Sequence, residues 1–269
     1  MATITGGTFV LNPLALDYPL MEWIESTKEF CNEVILVDMG STDGTCDAVQ
    51  SRFGRSVNIV PCKWEFTRDY HEGMPRNKIV EAAQYDWIYL TDCDEILHEQ
   101  DYESFHRLLD SDIAIDMYRL SVIRFFGSCY LQFISPGFER PIFHNHRKMF
   151  YGPPHGKAAA SGHTVLVQRG RKAGIARKYV KNKRIYHINL YDYGKCRHGR
   201  GIAAAHNFFI KQDIARTGKT NVPLIDENIF KIEKPVIDNV NYTKWIGTHP
   251  KIMQKWVQEH RGIHGWEII

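Results

Sequence analysis

The sequence predicts an α/β fold built on a mainly parallel sheet, and three observations carry that expectation. In the first half, short apolar runs alternate with helix-period patterns, the signature of successive βαβ units. One such run, Val34-Ile35-Leu36-Val37, is short and wholly apolar and reads as a strand. Polar residues stand where the runs end, at Asn12, Asp38 and Asp92 and after Val60, and open α/β sheets bind ligands outside those strand ends.

In order, Thr8 to Leu11 reads as the first strand, and a helix follows from about Pro19. Leu20, Trp23, Ile24 and Thr27 fall on one face of that helix, with Asp17 as its cap. Glu33 to Val37 is a second strand that opens into Asp38-Met39-Gly40-Ser41-Thr42-Asp43-Gly44-Thr45. Asp43 or Thr45 caps the helix through Ala48, Val49 and Phe53. Val57 to Val60 is a third strand, and Pro75 begins a helix with Ile79, Val80 and Ala83 in register. Trp87-Ile88-Tyr89-Leu90 is a strand running into Thr91-Asp92-Cys93-Asp94-Glu95, and a helix around Tyr102, Phe105 and Leu109 follows.

After Asp112 the pattern becomes alternating, in Met117 to Phe125 and Ser128 to Ile134, which predicts antiparallel or mixed pairing. Residues 140–190 read as loops and short strands, and helices over Lys195–Thr217 and Pro250–His260 close the chain. Residues 1–112 and 113–269 form two zones of one continuous domain.

Composition sets bounds. The 269 residues are 43% hydrophobic and 24% charged, ordinary for a globular protein. Apolar runs fall well short of the roughly 20 residues that span a bilayer. MATITGG carries no basic segment followed by an apolar core, so a cytoplasmic location is expected. The six cysteines include no C-x-x-C pair and read as free thiols. Charge is zoned: residues 1–139 hold 10 Lys+Arg against 23 Asp+Glu, and residues 140–269 hold 24 against 8. Between Arg147 and Lys219 stand 17 basic residues with only Asp192 and Asp213 opposing them. Such a field either attracts polyanions or balances the acidic half within one fold.

Three acids within four residues at a strand end raise one another's pKa unless a cation shares them. Oxygen donors of this kind suit Mg2+ or Mn2+, commonly through one or two carboxylates plus a substrate diphosphate. Alternation along an extended chain would put Asp92 and Asp94 on one side and Glu95 on the other.

Residues 8–97 resemble the nucleotide-sugar-binding region of family-2 glycosyltransferases. The matching elements are Phe9-Val10-Leu11-Asn12, then Val34-Ile35-Leu36-Val37-Asp38-Met39-Gly40-Ser41-Thr42-Asp43-Gly44-Thr45, then Arg76-Asn77 with Ala82-Ala83 and Asp86-Trp87-Ile88, then Leu90-Thr91-Asp92-Cys93-Asp94-Glu95. The resemblance implies the GT-A fold: a Rossmann-like, mainly parallel sheet with flanking helices, a mixed acceptor-side region and C-terminal helices. It implies that Asn12 and Asp38, with Ser41 in the same loop, border the nucleoside. Arg76 lies near the diphosphate or ribose, Asp92 meets ribose and metal, and Asp94 is the direct metal ligand. The implied donor is a nucleoside diphosphate sugar, a UDP-sugar above others, with Mn2+ or Mg2+.

The second half matches less well. Gly152-Pro153-Pro154-His155-Gly156 resembles the family's Gly-x-x-His-Glu turn with Gly156 in place of the acid, which leaves His155 without its partner. Arg184-Ile185-Tyr186-His187-Ile188-Asn189 resembles a later strand whose histidine reaches the metal, making His187 the expected third ligand. An inverting transfer needs a base, and Glu139 and Asp192 are the acids in the right region; a retaining route needs none. The anionic acceptor would be a modified nucleic-acid base, as in viral DNA glycosylation, or a phosphorylated glycolipid.

Other signals carry less. Gly199-Arg200-Gly201-Ile202-Ala203-Ala204 has the dinucleotide spacing but follows no strand, and Gly218-Lys219-Thr220 lacks the first glycine of a P-loop. His144 and His146 have no third ligand in the sequence pattern. Trp245, Trp256 and Trp266 read as packing. A sugar nucleotidyltransferase would carry a Gly-rich basic loop after the first strand, and Asn12-Pro13-Leu14-Ala15-Leu16 does not. A basic nucleic-acid-binding protein would show no turnover and no nucleotide binding.

Overall fold

The computed structural model describes residues 1–63, 73–111, 115–133, 139–145, 149–152, 165–168, 182–197 and 242–262, with residues 202–203, 207, 210–211, 214, 224 and 226. Helices are α1 (Leu20–Phe30), α2 (Thr45–Phe53), α3 (Gly73–Ala82), α4 (Tyr102–Ser111) and α5 (Gln254–Glu259). Strands are β1 (Ile4–Val10), β2 (Glu33–Asp38), β3 (Asn58–Pro61), β4 (Trp87–Leu90), β5 (Glu95–Leu97) and β6 (Met117–Phe126). They continue as β7 (Leu131–Phe133), β8 (Glu139–His144), β9 (Met149–Gly152), β10 (Val165–Gln168), β11 (Asn182–Lys195) and β12 (Tyr242–Lys244).

Four strands, in the order β3-β2-β1-β4, make a parallel core. The chain moves outward from β1 to β2 and β3 and then returns to the other side of β1 for β4. That reversal leaves the carboxyl ends of β1, β2 and β4 open at one edge, the usual ligand crevice. β8 adds antiparallel to β4, and β6, β7 and β12 follow by antiparallel pairing. β11 runs parallel to β6 and antiparallel to β5. The α/β class and mainly parallel centre are as the sequence predicts, and strands of both charge zones share one sheet.

Packing follows the pattern of β2. Val34 and Leu36 face one apolar cluster with Leu20, Trp23 and Ile24 of α1, while Ile35 and Val37 face a second with Ile79 of α3. Burying both faces requires helices close to each side of β1, and Gly6-Gly7 allow it. A β-carbon on Gly6 would overlap Thr27 of α1, and one on Gly7 would overlap Ile79 of α3. Trp23 then donates its indole N–H to the Thr91 hydroxyl (2.9 Å, buried), locking α1 to the end of β4.

Several expectations are corrected. β1 begins at Ile4, earlier than read, because the two glycines that weaken strand propensity are the residues close packing demands. Asp17 does not cap α1, whose N-cap is Pro19 without a side-chain bond. The expected strand over Ser128–Ile134 is only β7. The expected short strands before residue 190 include the 14-residue β11, which runs through Lys195, where a helix was expected to start; residues 202–203, 207, 210–211 and 214 are helical.

Phe125, Tyr191, Tyr193, Trp245 and His249 form an aromatic cluster behind β6 and β11. Trp245 and Trp256 pack as read, and Trp266 lies outside the described residues.

Two predictions arise. Gly7→Ala is expected to lower stability by about 1–3 kcal/mol through overpacking against Ile79, read as a lower urea midpoint with an unchanged m-value. Burial pushes the His249 imidazole down to about 4, so the folded state resists a proton that the unfolded chain takes up near 6.5. Stability from this group is full above about pH 6.5 and is lost as pH falls toward about 4. His249→Gln is expected to flatten that part of the stability–pH curve; an unchanged slope would assign it elsewhere.

Candidate functional site

Three loops meet at the open edge. The loop after β2 is shaped by Asp38, whose carboxylate accepts from the Gly40 and Ser41 amides at 3.1 Å and 3.1–3.2 Å. Gly40 and Gly44 have φ of +95° and +86°, backbone that favours glycine. Asp43 accepts from the Thr45 amide (3.1 Å) at the start of α2. The segment after β1 docks on this loop. The Asn12 amide donates to the Ser41 hydroxyl (2.8 Å), and the Thr42 amide donates to Asn12 Oδ1 (2.7 Å). Asn12 and Asp17 both have positive φ, 52° and 60°, which costs L-residues roughly 1–2 kcal/mol and Asn and Asp least.

The third loop follows β4. The chain turns after Asp92, with the Glu95 amide bonded to the Asp92 carbonyl (3.0 Å), so strict alternation does not hold. Asp92 and Glu95 face the same guanidinium: Arg140 Nε donates to Glu95 Oε2 (2.6 Å), and its Nη2 donates to Asp92 Oδ2. Arg76 stands 3.6 Å from Asp92 and stacks on Phe9 at 4.9 Å. Asp94 points the other way, toward β11. A β-carbon on Gly194 would overlap Asp94 Oδ2 and press on Asp192 Oδ1 at 3.1 Å, so both carboxylates converge beside that glycine. Asp192 is held by Arg124 Nε (3.0 Å) and the Gly194 amide (2.9 Å).

Electrostatics separate the four acids. Burial pushes Asp92 up, but the Arg140 and Arg76 guanidiniums outweigh it and hold its carboxyl below the usual range. Burial lifts Glu95 to about 7 against the pull of Arg140. Asp94 is driven well above the usual range by burial and by the charges of Asp192, Asp92 and Glu95, with Arg197 opposing. Among the described residues the Asp94 carboxylate accepts no hydrogen bond. A buried oxygen donor with that deficit suits a hard divalent cation. No three His, Cys, Asp or Glu converge as a metal set among the described residues, so the remaining positions would fall to diphosphate and water.

The other expected residues separate from this group. His187 is exposed on β11 beside Asp101, five residues before Asp192, roughly 16 Å along an extended strand. Glu139 precedes Arg140 on β8 and therefore faces the opposite side of the sheet, between Arg119 (3.2 Å) and Arg184 (2.9 Å). His155 and His146 lie outside the described residues, and His144 packs on Trp87. Sequence reasoning missed Arg140, Gly194 and Arg197. Only Gly194 left a signal, as a glycine inside a strand.

No family model matches the chain. The SPbeta prophage-derived glycosyltransferase SunS of Bacillus subtilis (strain 168) is 35% identical over 98 residues, 36% of this chain and 21% of that protein. The glycosyltransferase SunS of Bacillus phage SPbeta matches to the same extent. The match thus spans about a fifth of the length of these curated relatives. Among solved structures, the mannosyltransferase PcManGT of Pyrobaculum calidifontis in complex with GDP-Man and Mn2+ aligns over 82% of this chain and 66% of its own, at TM-score 0.49 and 14% identity. S. aureus TarS 1-349 in complex with UDP-GlcNAc aligns over 82% and 68%, at TM-score 0.47 and 11% identity.

Arg140→Gln is expected to destabilise the protein by about 3–5 kcal/mol, since Glu95, 1% exposed, loses its cation. Adding Glu95→Gln should recover much of that loss in chemical denaturation. A double variant no more stable than Arg140→Gln would show that the pair is not the source.

Proposed function

We propose that the chain is a divalent-metal-dependent glycosyltransferase of the GT-A type, moving a sugar from a nucleoside diphosphate sugar to a hydroxyl acceptor. The observation that carries this reading is Asp94, a buried carboxylate without a hydrogen-bond donor among the described residues, set at the carboxyl end of β4 and facing Asp192. The local 35% identity to proteins named as glycosyltransferases supports the same reading.

The residues take distinct parts. Asp94 would hold the cation, with Asp92 beside it and Asp192 completing the local negative field. When bound, the cation would neutralise charge on the departing diphosphate. Arg140 keeps Asp92 and Glu95 in place and balances their charge. Asp38, Asn12 and Ser41 order the two loops that would border the nucleoside. Arg76, stacked on Phe9 beside Asp92, would meet the diphosphate or ribose. Asp192 is oriented by Arg124. The basic excess between Arg147 and Lys219 favours an anionic acceptor, for which affinity should fall steeply with salt.

The test is a melting-temperature screen of UDP- and GDP-sugars with and without Mn2+, followed by donor hydrolysis. One donor is expected to raise Tm only with Mn2+, and Asp94→Asn is expected to lose that shift and at least about 100-fold in hydrolysis. Absence of any nucleotide-dependent shift, with Mn2+ present, would overturn the reading.

A further inference from the structure

The segment Asn12–Tyr18 is gripped from two sides. Toward the β2 loop it is fixed through Asn12, Ser41 and Thr42, and by the Ala15 amide donating to Asp43 Oδ2 (2.9 Å). On its other side stand two residues 181 and 243 positions away in sequence. Arg197 Nη1 donates to the Leu16 carbonyl (2.7 Å), its Nε donates to the Gly194 carbonyl (2.8 Å), and its guanidinium lies 3.6 Å from the centre of the Tyr18 ring. His260 Nε2 meets Asp17 Oδ2 at 2.9 Å, Nδ1 meets the Trp256 carbonyl at 2.7 Å, and the ring stacks on Trp256 at 3.6 Å. The imidazole thus bridges the Trp256 carbonyl and the Asp17 carboxylate. Arg197 and His260 are 3% and 6% exposed.

We infer that His260 and Arg197 are positioning residues of the donor site, acting through Asn12–Tyr18. The inference rests on the donor-site reading above. Asp17 has left-handed backbone and its carboxylate meets His260 at the C-terminal end of α5, and Arg197 ties the same segment to Gly194, the residue against which Asp94 and Asp192 converge. The loop that would border the nucleoside and the carboxylates that would hold the cation are thereby set relative to each other. The helix itself is anchored by Met253, Trp256 and Val257 in the core. Loss of the His260–Asp17 bond therefore loosens one side of the segment without unseating α5.

The experiment compares the full chain with His260→Phe, which keeps the stack on Trp256, and with Asp17→Asn and the double variant. Mn2+-dependent UDP and GDP binding is measured by calorimetry, and kcat and KM are measured on the donor selected by the screen. Each single variant is expected to raise Kd and KM about tenfold, with a smaller change in kcat, and the double variant is expected to be no worse than the singles. Amide exchange at Leu16 to Tyr18 should quicken in all three. Asp17→Asn, at the partly exposed end of the pair, keeps the test open should His260→Phe fold poorly. Variants that bind nucleotide as the wild type does, or that lose only melting temperature, overturn the inference. A wild-type chain that binds neither UDP nor GDP overturns the donor-site reading and the inference with it.

Discussion

Gathering negative charge at the end of a buried strand is the constraint on which the rest of this structure depends. Asp92, Asp94, Glu95 and Asp192 come from two distant parts of the chain, and uncompensated carboxylates in such a site cost several kcal/mol each. Arg140 faces two of them and Arg124 a third. Asp94 receives no such donor among the described residues, and burial with the neighbouring carboxylate charges drives its carboxyl well above the usual range. Compensation is thus uneven: among the described residues, Arg140 and Arg124 donate to three of the four carboxylates and none donates to Asp94.

The sheet explains how the compensating residues arrive. β4 ends in the acids and pairs on one side with β1, whose own end leads into Asn12. On its other side β8 runs antiparallel, carrying Arg140 back toward the strand end while Glu139 faces away. β5 continues from the acids and pairs with β11 in the register Asp192↔Glu95, which brings Asp192 to them. A shift of β11 by one residue would send Asp192 to the other face and replace it with Tyr191 or Tyr193. Glycine at position 194 then gives the Asp94 carboxylate room that any β-carbon would fill.

Local features were legible in the sequence, and non-local ones were not. Val34 to Val37 announced a strand, and Asp38 to Thr45 announced a turn-rich loop, whose Gly40 and Gly44 have positive φ. The aspartates after β4 announced a charge problem. Nothing near them named Arg140, because its role is created by antiparallel pairing between residues roughly fifty apart. His187 looked like a ligand because its neighbours matched a strand pattern, yet which stretch of β11 lies against β5 is decided by register alone. Asp17 looked like a helix cap because Asp commonly is one. Its partner instead lies 243 residues away, a distance over which local propensity carries no information.

The charge zoning of the sequence can now be divided between two causes. Arg140 from the basic half neutralises Asp92 and Glu95 from the acidic half, Arg184 joins Arg119 in holding Glu139, and His260 meets Asp17. These pairs are the internal balance that one reading of the asymmetry required. Within the segment from Arg147 to Lys219, Arg184 and Arg197 have structural roles of this kind among the described residues. Pairs with a buried member, such as Arg140 with Glu95, should be less sensitive to salt than a field acting on an approaching anion, which is screened over about 10 Å at 0.1 M. Ionic strength therefore separates the two causes: folding stability carried by the first should change little, and any affinity for an anionic acceptor carried by the second should change greatly.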